Sequence, residues 1–166
     1  LQYWLRGSGV NIERDIEIVT IAPPFAAEAL AMREIDGICV GEPWNSVAVE
    51  RGVGVIINVT SHIWLRGVEK VLALQTAKAE AEPEIVHRLI RALYKAGEAF
   101  VDPVRFSENA AILARSEYLD GSADLIERAI SDRIKLTAGH DPIQIHDFMF
   151  KHREDANFTW ARQAAW

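Results

Sequence analysis

Gly41-Glu42-Pro43-Trp44-Asn45 follows the apolar run Ile38-Cys39-Val40 and gathers a bare backbone, a carboxyl, an indole and a carboxamide in five positions. Open α/β sheets bind ligands at the carboxyl ends of their strands, where this segment falls. Gly41 has no side chain, so a small ligand can approach its N–H closely. Glu42 would accept a donor and Trp44 would wall off water. A second reading is structural: a strand-to-helix turn set by Pro43 and Asn45, with Trp44 in the core. The local pattern by itself favours that second reading. Lys70 raises the same choice. Before a short apolar run it is either a point charge for a small anion or a solvated partner of Glu69.

Other chemistries find less support. His140, His146 and His152 recur every six residues, but six helical steps turn roughly 240°, so successive imidazoles face different ways. Zinc pairs on a helix take a three- or four-residue spacing, so no metal site is expected, and His62 reads as a structural or surface residue. There is no Gly-x-Ser-x-Gly elbow, and Cys39 is expected inert inside an apolar strand. Phosphate-loop and dinucleotide glycine patterns are absent; Gly7-Ser8-Gly9 ends a helix, whereas those patterns open one. No catalytic residue is assigned, and no cofactor.

These residues need a scaffold, and the composition says which kind. Of 166 residues, 49% are hydrophobic and 25% charged, the balance of a globular protein rather than a disordered one. The net charge of −6 and the lack of a basic patch argue against a nucleic-acid partner. The one cysteine excludes an intrachain disulfide. Strand–helix alternation fills the first third: strands over 15–21, 38–40 and 55–59, a short helix over 25–33, and another over 46–51 capped by Asn45. One more strand is expected over 71–74. From Pro83 the chain turns helical, with Val86, Leu89, Ile90, Leu93, Gly97 and Phe100 on one face. Further helices are expected over 104–115, from Ser122 with Leu125, Ile126, Ala129 and Ile130 facing the core, and from Asp141-Pro142 through Phe148. Phe148, Phe150, Phe158, Trp160 and Trp166 read as core or cover. Leu1 to Arg6 reads as a helix entered in mid-course, which implies a polypeptide that continues upstream.

Taken in order, five segments resemble the nitrate/bicarbonate solute-binding proteins of ABC transporters. They are Leu1–Leu5 before a Gly-rich turn, Asp36–Asn45, Glu69–Leu74, His146–Met149 and Ala156–Trp160, and the resemblance spans essentially the whole chain. It implies an α/β, type II periplasmic-binding-protein-like fold, present in part: the remainder of the second lobe over 1–66, and the hinge return with the mostly helical C-terminal part of the first lobe over 67–166. It further implies that Gly41 offers its backbone and Lys70 its cation to a small inorganic anion held between lobes. The family's remaining ligand residues, a Trp, a Gln and a His, would lie before Leu1. The Pro that commonly precedes Glu69 in the family is Val68 here.

A fixed ammonium at Lys70 suits nitrate or nitrite, which carry charge and no proton to donate. Glu42 beside Gly41 keeps bicarbonate open. The expectation is therefore a non-enzymatic, solute-binding component that works with an ABC-transporter permease, periplasmic or anchored on the periplasmic side of a membrane. Alternatives are a cytoplasmic nitrate sensor of the same fold, a bicarbonate-binding protein, and a relative of pyrimidine-precursor biosynthetic enzymes. Self-association of these residues on their own is expected, because a severed sheet exposes apolar faces and strand edges.

Overall fold

The computed structural model describes residues 1–64 and 71–149. Helix α1 spans Gln2–Gly7, α2 Ala26–Ala31, α3 Trp44–Glu50, α4 Thr60–Ile63, α5 Thr76–Ala81, α6 Pro83–Val101, α7 Phe106–Leu113 and α8 Ala123–Ile130. Two-residue strands β1 (Arg133–Ile134) and β2 (Ile143–Gln144) pair antiparallel, with Arg133 opposite Gln144 and Ile134 opposite Ile143.

The core grows from α8. Ser122 caps this helix, its hydroxyl accepting from the Leu125 N–H, and Leu125, Ile126, Ala129 and Ile130 are all buried. That stripe has neighbours on two sides. Ile126 and Ile130 pack against Ala110 of α7, with Phe100, Phe106 and Leu113 around them. Ala129 packs with Ile134 and Ile145, and Ile56, Val59 and Phe148 close over that cluster. A smaller alanine-rich contact joins α2 to α3, where Ala26, Ala27, Ala29, Ala48 and Val49 are buried. Gly52, just past α3, takes φ +67° in the left-handed region that ends helices, with open space where a Cβ would sit.

Several expected elements have the expected form. The 83–101 helix starts on Pro83 as read, and the short helices before Gly7 and around Ala26 are present. The 104–115 helix divides into a 3-10 turn at Pro103–Arg105 and α7. The strands are different. Residues 15–21, 38–40 and 71–74 join no ladder among the described residues, and 55–59 makes one backbone bond to a distant segment, from Ile56 N–H to Leu136 O at 2.9 Å. These β-branched runs lack neighbours of the same kind, and a strand is defined by its neighbours. Cys39 is accordingly exposed rather than shielded within a strand.

Two further expectations are corrected. The segment after Asp141-Pro142 is not a helix: Ile143 pairs with Ile134, and the Ile145 N–H donates to Asp132 O at 2.9 Å. Pro142 fits the residue before a strand as well as a first helical turn, and β-branched residues at 143 and 145 suit the pleat. Asn45 does not cap α3, which starts one residue earlier; its carboxamide donates to Val40 O at 2.6 Å. The expected domain crossing near residue 67 and the aromatic residues Phe150, Phe158, Trp160 and Trp166 lie outside the described residues.

Ile130 is 2% exposed and touches the α7 cluster, so Ile130→Ala is expected to destabilise by about 2–5 kcal/mol. Gly52→Ala, with no packing to lose, is expected to cost about 1–2 kcal/mol through its backbone alone. Urea unfolding of the two variants against the parent checks both values.

Candidate functional site

Gly41 follows the irregular segment 38–40 and opens the turn into α3. Its carbonyl accepts from the Trp44 N–H at 3.2 Å, while its own N–H has no hydrogen-bond partner among the described residues. A Cβ placed here would meet nothing within 4 Å. Gly41 is exposed, and its backbone carries a donor unused among the described residues. The Asn45-to-Val40 bond ties the first turn of α3 back to the residue before Gly41, so Gly41 is held from both sides.

Glu42 occupies a different environment one residue on. Its Oε2 accepts a long bond from Ser46 N–H at 3.4 Å, and its Oε1 is out of water with no hydrogen-bond partner. Burial raises its pKa above the ordinary 4.5, and the bonds from Ser46, the charge of Arg128 and a bond from Asn45 only partly oppose that rise. Trp44 is half-buried as the first residue of α3. Lys70 lies outside the described residues, so the meeting of Gly41 and Lys70 has no geometry here. His140 and His146 are exposed, His152 lies outside the described residues, and no group of three metal-ligating side chains occurs among those described.

The other end of α3 carries a charge cluster that the sequence did not reveal. Arg128 of α8 bonds Glu50 at 2.6 Å, Lys135 reaches the same carboxylate at 3.0 Å, and Arg128 Nε lies 3.2 Å from Asp124 Oδ2. The Asp124–Arg128 spacing is a visible helical i,i+4 pair, but Glu50 is 78 residues from Arg128, beyond the reach of any local pattern. Bonds from Arg128 and Lys135 hold the Glu50 carboxyl below its ordinary value. The helix that follows the open glycine is thus fastened at its far end to the core helix.

Comparison with known proteins gives this arrangement a family. A model of the NMT1-like family matches residues 1–115. The chain belongs to that family. Over all 166 residues it is 33% identical to the nitrate import ATP-binding protein NrtC of Synechococcus elongatus, covering 25% of that protein. It is 27% identical to the nitrate/nitrite binding protein NrtA of the same organism, covering 38% of it. A bicarbonate transport ATP-binding protein, CmpC of Synechocystis, is 36% identical over 126 residues, 76% of this chain and 19% of that protein. The crystal structure of the periplasmic nitrate-binding protein NrtA from Synechocystis superposes with a TM-score of 0.83 at 21% identity, over 89% of this chain and 38% of that one. The fold is therefore periplasmic-binding-protein-like, and the chain spans between a fifth and two fifths of these relatives' lengths.

The two carboxylates of α3 predict opposite pH behaviour. Glu42 has a raised folded-state pKa, so its favourable contribution is complete below 4.5 and is lost as pH rises through the folded value. Glu42→Gln is expected to gain stability relative to the parent between pH 5 and 8. Glu50 has a lowered pKa, so its contribution is present above 4.5 and is lost as pH falls through the folded value. Glu50→Gln is expected to lose up to about 1 kcal/mol at neutral pH, less in high salt, since the pair is partly solvated. Thermal melts from pH 3 to 8 at two ionic strengths check the signs.

Proposed function

We propose that this chain is part of a solute-binding unit of an ABC transporter that takes up a small inorganic anion, nitrate or nitrite, without chemical conversion. The match of the entire chain to nitrate-transport relatives carries this reading. The open N–H at Gly41 supports it. In this reading Gly41 donates from its backbone and Lys70 supplies the cation. Trp44 shields the turn, and Glu42 fixes the course of the Gly41 backbone into α3 while its carboxyl is kept out of water. A planar anion with no proton to give needs donors and positive charge, which is what an amide and an ammonium provide. Binding is reversible and calls for no nucleophile or cofactor. A unit with this role works outside the membrane's permease on the periplasmic side, as the named location of the solved NrtA relative suggests.

A second reading has its own observation. Several relatives that match this chain are ATP-binding proteins of which it covers a quarter or less. A solute-binding fold joined to such a subunit would sense the anion and adjust transport rather than deliver cargo. The same residues would bind the anion in both readings, and cell fractionation of the intact gene product separates them.

Calorimetric titration of that gene product with nitrate, nitrite, bicarbonate and chloride tests the ligand. Lys70→Ala is expected to weaken nitrate binding ten- to a hundredfold, the loss of about 1.5–3 kcal/mol for a hydrogen bond to a charged group. Equal affinity in the variant removes Lys70 from the site. Preference for bicarbonate over nitrate overturns the choice of anion.

A further inference from the structure

The charge of Glu42 has little support. An ionised carboxylate offers about four acceptor sites. Here Oε2 accepts from the Ser46 N–H at 3.4 Å, while Oε1 is shielded from water with no hydrogen-bond partner. Among the described residues no cation forms an ion pair with it. The cation that acts on it across the α3–α8 contact is Arg128, which is already shared between Glu50 at 2.6 Å and Asp124 at 3.2 Å. Lys135 is held by Glu50 at 3.0 Å, and on the α2 side Glu28 and Arg51 pair with each other at 2.6 Å. The remaining polar neighbours are Ser46 and Asn45 of α3 itself, and Asn45 also donates to Val40 O. Water is withdrawn from this carboxyl and few donors replace it, which penalises the charged form.

The place of the carboxyl gives that penalty a use. Its neighbour in sequence is Gly41, whose N–H is unused among the described residues. Bond lengths keep a glutamate carboxyl within about 9 Å of the N–H one residue before it. At that range, partly out of water, a carboxylate repels a second anion enough to weaken its binding about five- to thirtyfold. Contact is a different matter, because Oε1 is shielded by the chain's own atoms and Oε2 is taken by Ser46.

We propose that Glu42 controls anion binding at Gly41 through its charge and without touching the anion, which binds tightest when this carboxyl has taken up a proton from solvent. The proposal rests on the reading that Gly41 meets the anion. Proton and anion then favour each other by the same factor, as linkage requires. At low pH Glu42 is neutral with or without the anion, and affinity is greatest. At high pH it is charged in both states, and affinity is least. A carboxyl with no free oxygen also gives bicarbonate no acceptor for its proton, which leaves the preference with anions that carry none. Glu50, on the same helix, exerts no such control, because Arg128 and Lys135 neutralise it.

Calorimetry of the intact gene product with sodium nitrate, from pH 4.5 to 8.5 at fixed ionic strength, tests this beside Glu42→Gln and Glu50→Gln. The expected result is parent affinity that falls about five- to thirtyfold across the range. Glu42→Gln is expected to lose that step and keep the low-pH affinity throughout, and Glu50→Gln to keep the step. Parallel profiles for the parent and Glu42→Gln overturn the proposal, since a carboxyl needed only for the shape of the turn gives a constant offset. Bicarbonate binding that disappears in Glu42→Gln shows direct contact and overturns it too. A parent that binds no nitrate at any pH overturns the reading of Gly41 as an anion site and the proposal with it, so the two failures are told apart. Should Glu42→Gln not fold, carbon-13 NMR of the parent follows the Glu42 carboxyl directly. Nitrate is expected to move its titration midpoint to higher pH, and an unmoved midpoint overturns the proposal.

Discussion

Every buried backbone amide needs a partner, and the segments of this chain meet that requirement in two different ways. A helix pairs its own N–H and C=O groups, so α7 and α8 stand once their apolar stripes have something to press against. Extended chain must find partners elsewhere. Here β1 and β2 find each other, Ile56 finds Leu136, and residues 15–21, 38–40 and 71–74 join no ladder among the described residues. The well-packed part of the molecule joins α7 and α8 to the β1–β2 pair, where Ile134 and Ile145 are buried, whereas α6 has no buried residue. Exposed apolar residues occur on both kinds of segment, Ile18, Val19 and Ile57 outside any helix and Ile85, Ile90 and Leu93 along α6.

That division also explains what could be read directly. The stripe Leu125, Ile126, Ala129, Ile130 and its Ser122 cap are statements about residues within one helix, and the structure agrees with them residue by residue. The strand segments were legible as composition but not as pairing, because a ladder depends on chain far away in sequence. Asp141-Pro142 misled for a related reason: the same dipeptide suits a helix start and the approach to a strand. Ile134, seven residues upstream of Asp141, decides between them by pairing with Ile143.

At the candidate site, Gly41 was legible from its place after an apolar run and before a helix. Its unused N–H and the open space around it were not. Glu42 is the converse case. Its position suggested a polar contact, whereas burial of one oxygen and the bond to Ser46 turn it into a constraint on the first turn of α3. The Arg128–Glu50–Lys135 cluster had no local signature, since its members come from α3, α8 and the residue just after β1. Family membership entered through several separated segments taken together, which is why it reaches the whole chain while no single motif would.

The exposed thiol of Cys39 has a practical consequence. It is the chain's one cysteine, and it sits two residues before the open backbone at Gly41. An environment-sensitive dye attached there would need no engineered attachment point and no removal of competing thiols. Its emission would report any change in polarity or crowding beside the turn, next to the backbone proposed to meet the anion.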